Sequence, residues 1–124
     1  MNAAPEIRRL KRRTQFLYVR EGMSERRKSL VVQVRAHRAP AGDWIGEGFT
    51  ATKRIGNAVI RNRAKRRLRA ASRELLAHYG RPGCDYVFIA RMGTATVDWT
   101  RLLDDMKSAL ISLGACLDES SGQS

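Results

Sequence analysis

The chain has 124 residues, room for one domain able to bury roughly two thirds of the surface its unfolded form exposes. Hydrophobic residues make up 43%, which supports a packed core and excludes a purely disordered basic tail, and no apolar run approaches the roughly 18 residues of a membrane span. The 24 Lys and Arg against 12 Asp and Glu leave a net charge of +12, the electrostatic footprint of a chain whose counterpart is a polyanion.

Residues 1–13 read as a basic, unpatterned, loose arm. It lacks the apolar stretch of a secretory signal, and its Arg-rich, acid-poor character leaves an organellar presequence as the alternative. Thr14 is placed to cap a short helix running to about Glu21, with Gly22 ending it in the left-handed conformation and Phe16 and Val19 sharing one face. From Leu30 to Arg38 the sequence alternates as a strand does, Leu30, Val32, Val34 and Ala36 against Val31, Gln33, Arg35 and His37. Pro40, Gly42 and Asp43 supply turn chemistry, so Trp44 to Thr52 is expected to return as the second arm of an antiparallel hairpin. Along that arm Phe49 and Ala51 would face the core, and Thr50 and Thr52 the opposite side, open to solvent or a ligand.

Gly56 and Asn57 break the strand, and Asn57 is the expected N-cap of a helix from Ala58 to about His78. Ile60, Ala64, Leu68, Ala71 and Leu75 form its narrow apolar stripe. Beside that stripe Arg61, Lys65, Arg69 and Arg73 recur every fourth residue as a basic ridge, with Asn62 and Arg66 on its far shoulder. Gly80, Pro82 and Gly83 make the next loop, and the nearly continuous apolar run from Tyr86 to Arg91 suits a strand covered on both faces. Asp98 then caps a final helix with Leu102, Leu103, Met106, Ala109, Leu110 and Leu113 on one side, and residues 118–124 read as a short disordered tail. Trp44 and Trp99 read as packing anchors, His37 and His78 as spectators, and Cys84 and Cys116 as reduced thiols too far apart for a metal knuckle. Helix, two strands, helix, strand, helix is the order of an α/β (α+β) sandwich: one small mixed sheet with three helices, in a single domain over residues 14–117.

Between Glu47 and Glu74 there is no acidic residue, yet Lys53, Arg54, Arg61, Arg63, Lys65, Arg66, Arg67, Arg69 and Arg73 all fall there. Intrahelical pairs worth about 0.2–0.5 kcal/mol each are forgone, and like-charge repulsion replaces them. Phosphates would relieve it; a merely solvated helix face is the plainer alternative. Cleavage of phosphodiesters by the polypeptide itself would need converging carboxylates or a positioned His. The acids are scattered singly apart from Asp104–Asp105 and Asp118–Glu119, whose members point about 100° apart if helical, so no catalytic residue is assigned. A DNA recognition helix could be as basic, but belongs in a small helical domain with a tight helix–turn–helix.

The run from Gly48 to Arg69, Gly-Phe-Thr-Ala-Thr-Lys-Arg-Ile-Gly-Asn-Ala-Val-Ile-Arg-Asn-Arg-Ala-Lys-Arg-Arg-Leu-Arg, closely resembles the signature of the bacterial ribonuclease P protein subunit. The layout from the basic N-terminus to the last amphipathic helix fits as well. The resemblance implies an α–β sandwich shared with a ribosomal-protein domain. It also implies a left-handed strand–helix–strand crossover, where the general rule is right-handed. It implies a role in the endonucleolytic removal of the 5′ leader of precursor tRNA, with the chemistry performed by a catalytic RNA and by Mg2+ held mainly by that RNA and the substrate. Carried over by position, the RNA-facing set is Lys53, Arg54, Asn57, Arg61, Asn62, Arg63, Lys65, Arg66 and Arg69, with Arg73 continuing the ridge. Phe16 matches an aromatic lining a leader cleft between the first helix and the sheet face that bears Thr50 and Thr52. Arg20 stands where many members have a second aromatic, a cation that can still stack or pair with phosphate. The partners implied are the catalytic RNA and precursor tRNA, in the cytoplasm, with no membrane and no protein partner. A stand-alone RNA- or DNA-binding module such as a ribosomal protein is the competing class.

Overall fold

The computed structural model describes residues 4–38 and 42–122, the side chains of 119–122 excepted. Its strands are β1 (Ile7–Arg9), β2 (Met23–Arg26), β3 (Leu30–Ala36), β4 (Ile45–Thr50) and β5 (Cys84–Ala90), and its helices α1 (Arg13–Arg20), α2 (Ala58–Tyr79) and α3 (Trp99–Gly122). One sheet runs in the order β1-β4-β5-β3-β2. The β1/β4 and β4/β5 pairs are parallel, and β3 is antiparallel to both β5 and β2. A mixed five-stranded sheet with three helices is the α+β architecture expected from the sequence.

The hairpin expected across residues 38–44 does not form, because β5 inserts between its two arms. Every residue of β5 but Ile89 is buried, and a strand with both faces covered belongs at the centre of a sheet. The Gly83 backbone fixes the arrangement: His37 N–H donates to Gly83 O at 2.8 Å, and Gly83 N–H donates to Trp44 O at 3.0 Å. Thus Gly42 and Asp43, which looked like hairpin-turn residues, lead into a strand that β5 separates from β3. Pro40 lies outside the described residues.

One sheet face is the main core. Val32 and Val34 of β3 and Tyr86 and Phe88 of β5 meet Leu68 and Leu76 of α2 and Leu102, Met106, Leu110 and Leu113 of α3, all buried. The other face carries α1, whose Val19 is buried with Leu10 and Val87 beside Phe16, Tyr18 and Ile89.

Four local expectations change. Within the arm read as loose, Ile7–Arg9 pairs with β4 and Leu10 is buried, its N–H donating to Glu47 O at 2.8 Å. A three-residue strand is held by backbone bonds and has no periodicity to read. The residue capping α1 is Arg12, not Thr14, with the Gln15 side chain accepting from Lys11 N–H and Arg12 N–H at 2.8 Å each. Gly22 is not left-handed, since positive φ among the described residues occurs at Gly56, Gly83 and Gly93; its need is space, as a Cβ there would lie 2.2 Å from Val34 O. Finally, α3 continues through residues assigned to a loose tail, carried on by Leu117, which packs against the core.

Candidate nucleic-acid interface

The candidate interface is built on α2. Asn57 caps that helix as expected, Oδ1 accepting from Ile60 N–H at 3.0 Å, and Gly56 turns the chain into it at φ 146°. Before Asn57 the chain makes a single 3-10 turn, Lys53–Ile55, which presents Lys53 and Arg54 to solvent. The buried face of α2 is Ala64, Leu68, Ala71, Ser72 and Leu76. Ile60, expected in that stripe, is 39% exposed, since α2 buries no residue ahead of Ala64, and Leu75 is partly buried against the core.

The basic ridge stands as spaced. Asn62, Arg63, Arg66 and Arg73 are exposed, while Arg61, Lys65 and Arg69 are half-buried along their stems. Among the described residues none of the cations from Lys53 to Arg73 lies within ion-pair distance of an acid. The Nε atoms of Arg61 and Arg69 are buried without a hydrogen-bond partner there. Positive charge with no internal compensation is what phosphate binding requires.

One member of the cation run belongs to the fold. Arg67 Nη1 donates to Thr94 O at 2.6 Å and Nη2 donates to Val97 O, with the guanidinium 5.9 Å from the Trp99 ring centroid. It ties α2 to the β5–α3 connection. Asn57 is likewise partly committed, its side-chain oxygen being taken up by the cap.

Phe16, Arg20, Thr50 and Thr52 are brought to one cleft of about 640 Å3 between α1 and the sheet, with Val87 and Ile89 also lining it. Gly48 makes it possible: a Cβ there would stand 2.6 Å from Phe16 Cε1, so the bare backbone lets the ring lie on β4. Lys65 lines the same cleft, which makes the cleft continuous with the ridge. Phe49 and Ala51, assigned to the core, pack against it and also reach the cleft.

Sequence reading missed Arg13, Leu17 and Gln33 here, and Arg9 at the other end of the ridge, where it shares a small hollow with Glu47, Arg69 and Arg73. Signals for three were present. Gln33 sits on the outward register of β3, and Leu17 and Arg13 share a helical face with Arg20. Among the described residues no three His, Cys, Asp or Glu side chains converge to hold a metal ion. No helix there is long and apolar enough to cross a membrane.

A mixed sheet with helices on both faces, an uncompensated cationic ridge and an adjoining aromatic cleft define an RNA-binding α+β domain. The family model described as Ribonuclease P matches residues 4–114, and the chain belongs to the ribonuclease P protein family. It is 51% identical over 113 residues to the ribonuclease P protein component of Caulobacter vibrioides, covering 91% of this chain and 75% of that one. Identity to the component from Ruegeria pomeroyi is 45% over 114 residues, covering 91% of each chain. Among solved structures, the ribonuclease P protein from Thermotoga maritima superposes with a TM-score of 0.70 at 26% identity, over 85% of this chain and 96% of that one. These relatives place the chain as the protein subunit of ribonuclease P, and do not favour a stand-alone binding module.

Proposed function

We propose that the ridge of α2 grips the catalytic RNA of ribonuclease P, and that the cleft between α1 and the sheet holds the single-stranded 5′ leader of precursor tRNA. The observation that carries this reading is the unbroken join, through Lys65, between cations that have no acid partner and a cleft containing Phe16. Arg61, Asn62, Arg63, Arg66, Arg69 and Arg73, with Lys53 and Arg54 at the helix entrance, neutralise phosphates. Phe16 offers a stacking face, Arg20 a cation for the strand beside it, and Thr50 and Thr52 hydroxyls for the backbone or 2′-OH groups. Leader binding supplies energy remote from the scissile bond and holds the substrate against the RNA, which carries out the cleavage. The Mg2+ ions are held mainly by RNA and substrate phosphates. The setting is the cytoplasm.

The test is a comparison of two substrates. With Phe16→Ala, holoenzyme affinity for precursor tRNA is expected to fall by about 1–3 kcal/mol, the contribution of one stacked base, while affinity for mature tRNA, which has no leader, stays unchanged. Equal losses for both would remove Phe16 from leader binding.

A further inference from the structure

Helix α1 divides its sheet face into two clefts. Arg13, Phe16, Leu17 and Arg20 border the first; Thr14, Gln15 and Tyr18, on the opposite side of the same helix, border a second of about 320 Å3. This second cleft lies toward the His37–Asp85 end of β3 and β5, and no step of the proposed function uses it.

Its interior is polar and built. Asp85 Oδ1 lies 2.9 Å from His37 Nε2, and the side chains are only 11% and 6% exposed. Both atoms remain without a well-aligned hydrogen bond, and His37 Nδ1 has no partner among the described residues. Burial pushes the Asp85 carboxyl up from its ordinary range, and the adjacent imidazole pulls it back. The carboxylate has room because β4 carries glycine opposite it: a Cβ on Gly46 would sit 2.0 Å from Asp85 Oδ1.

Around these groups aromatics and cations alternate. The His37 and Trp44 rings are 3.8 Å apart, and the Arg8 guanidinium lies 4.9 Å from the Trp44 centroid. Arg35 and Arg38 lie 4.1 and 4.7 Å from the Tyr18 centroid, and the Tyr18 hydroxyl donates to Ala36 O at 2.6 Å, which fixes the ring. Rings interleaved with arginines bind single strands, by stacking and by phosphate contact. A carboxylate in such a place repels phosphate, so its use is to accept hydrogen bonds from a base edge, as Asp and Glu do from the cytosine amino group. The cleft's size, at the low end for small-molecule sites, suits one nucleotide.

We propose that this second cleft binds one unpaired nucleotide of RNA, its phosphate on Arg38 and its base edge, bearing an amino group, on Asp85. The site stands independently of the ridge and the leader cleft. Titration of the full-length protein with cytidine 5′-monophosphate, followed by NMR, is expected to shift the Trp44 indole and the Gln15 and Tyr18 resonances. Uridine 5′-monophosphate should bind about fivefold or more weakly, for want of the amino donor. Asp85→Asn abolishes that preference, and Arg38→Ala, an exposed position, weakens both nucleotides alike while leaving the fold intact. In the holoenzyme, Arg38→Ala should weaken precursors with long leaders selectively if the nucleotide comes from the leader, and weaken assembly with the RNA subunit if it comes from there. Absence of shifts with either nucleotide, or identical shifts with ribose 5-phosphate, overturns the proposal; Phe16→Ala leaves the mononucleotide result unchanged, so it stands or falls apart from the leader reading.

Discussion

Replacing Arg61, Arg63 and Arg66 together by Ala is expected to weaken assembly with the catalytic RNA by several kcal/mol, at about 1.5–3 kcal/mol for each charged hydrogen bond lost. The dependence of log affinity on log salt should flatten by about 2–3, since each phosphate contact contributes about 0.7–0.9. Arg63 and Arg66 are exposed, and Arg61 is half-buried; none of the three side chains donates a hydrogen bond within the described residues, so the unfolding free energy should move by no more than about 0.5 kcal/mol per site. Filter binding across a salt series, with denaturant unfolding of the same variant, separates the two effects. A variant that unfolds would assign these side chains to the fold.

Arg67→Ala should behave in the opposite way. Its guanidinium satisfies two backbone carbonyls, Thr94 O and Val97 O, and packs against Trp99. Thr94 is itself fully buried, accepting from Arg91 N–H at 2.7 Å and donating to Ser29 O at 2.7 Å, so the loop that Arg67 braces is tied to the start of β3. Truncation orphans both carbonyls and should cost about 2–4 kcal/mol of stability, with the salt slope of RNA binding unchanged. Arg67→Lys should recover little, because an ammonium does not reproduce the planar two-pronged geometry. Denaturant midpoints for the two variants, measured beside their RNA affinities, give the contrast directly. On the proposed reading, neighbouring arginines of one helix divide between structure and binding.

That division shows where the sequence was readable. The ridge, the Asn57 cap and the apolar stripe of α3 are local: helical periodicity and cap chemistry fix them within a few turns, and the folded chain has them where the spacing puts them. Arg67 lay outside the ridge by the same wheel, but its carbonyl partners are about thirty positions away and leave no trace in the pattern. The sheet order was not readable, because turn residues at Gly42 and Asp43 specify a change of direction and say nothing of a strand arriving from residues 84–90. Short edge strands escaped for a related reason. Four-residue β2 and three-residue β1 are defined by backbone pairing with β3 and β4. Phe16 could be placed in a cleft only through family resemblance, since Gly48, Gln33 and Lys65 reach it from three separate elements. His37 looked idle because its partner Asp85 lies on a strand that pairing alone brings beside it.

The most direct test of the central claim, that this chain serves an RNA catalyst and does not itself cut, is a reconstitution of precursor tRNA cleavage at low Mg2+ with RNA alone, protein alone and both. The expected result is weak cleavage by the RNA, none by the protein, and strong cleavage by the mixture. Leader removal by the purified protein free of RNA, or a mixture no faster than the RNA alone, would contradict the account.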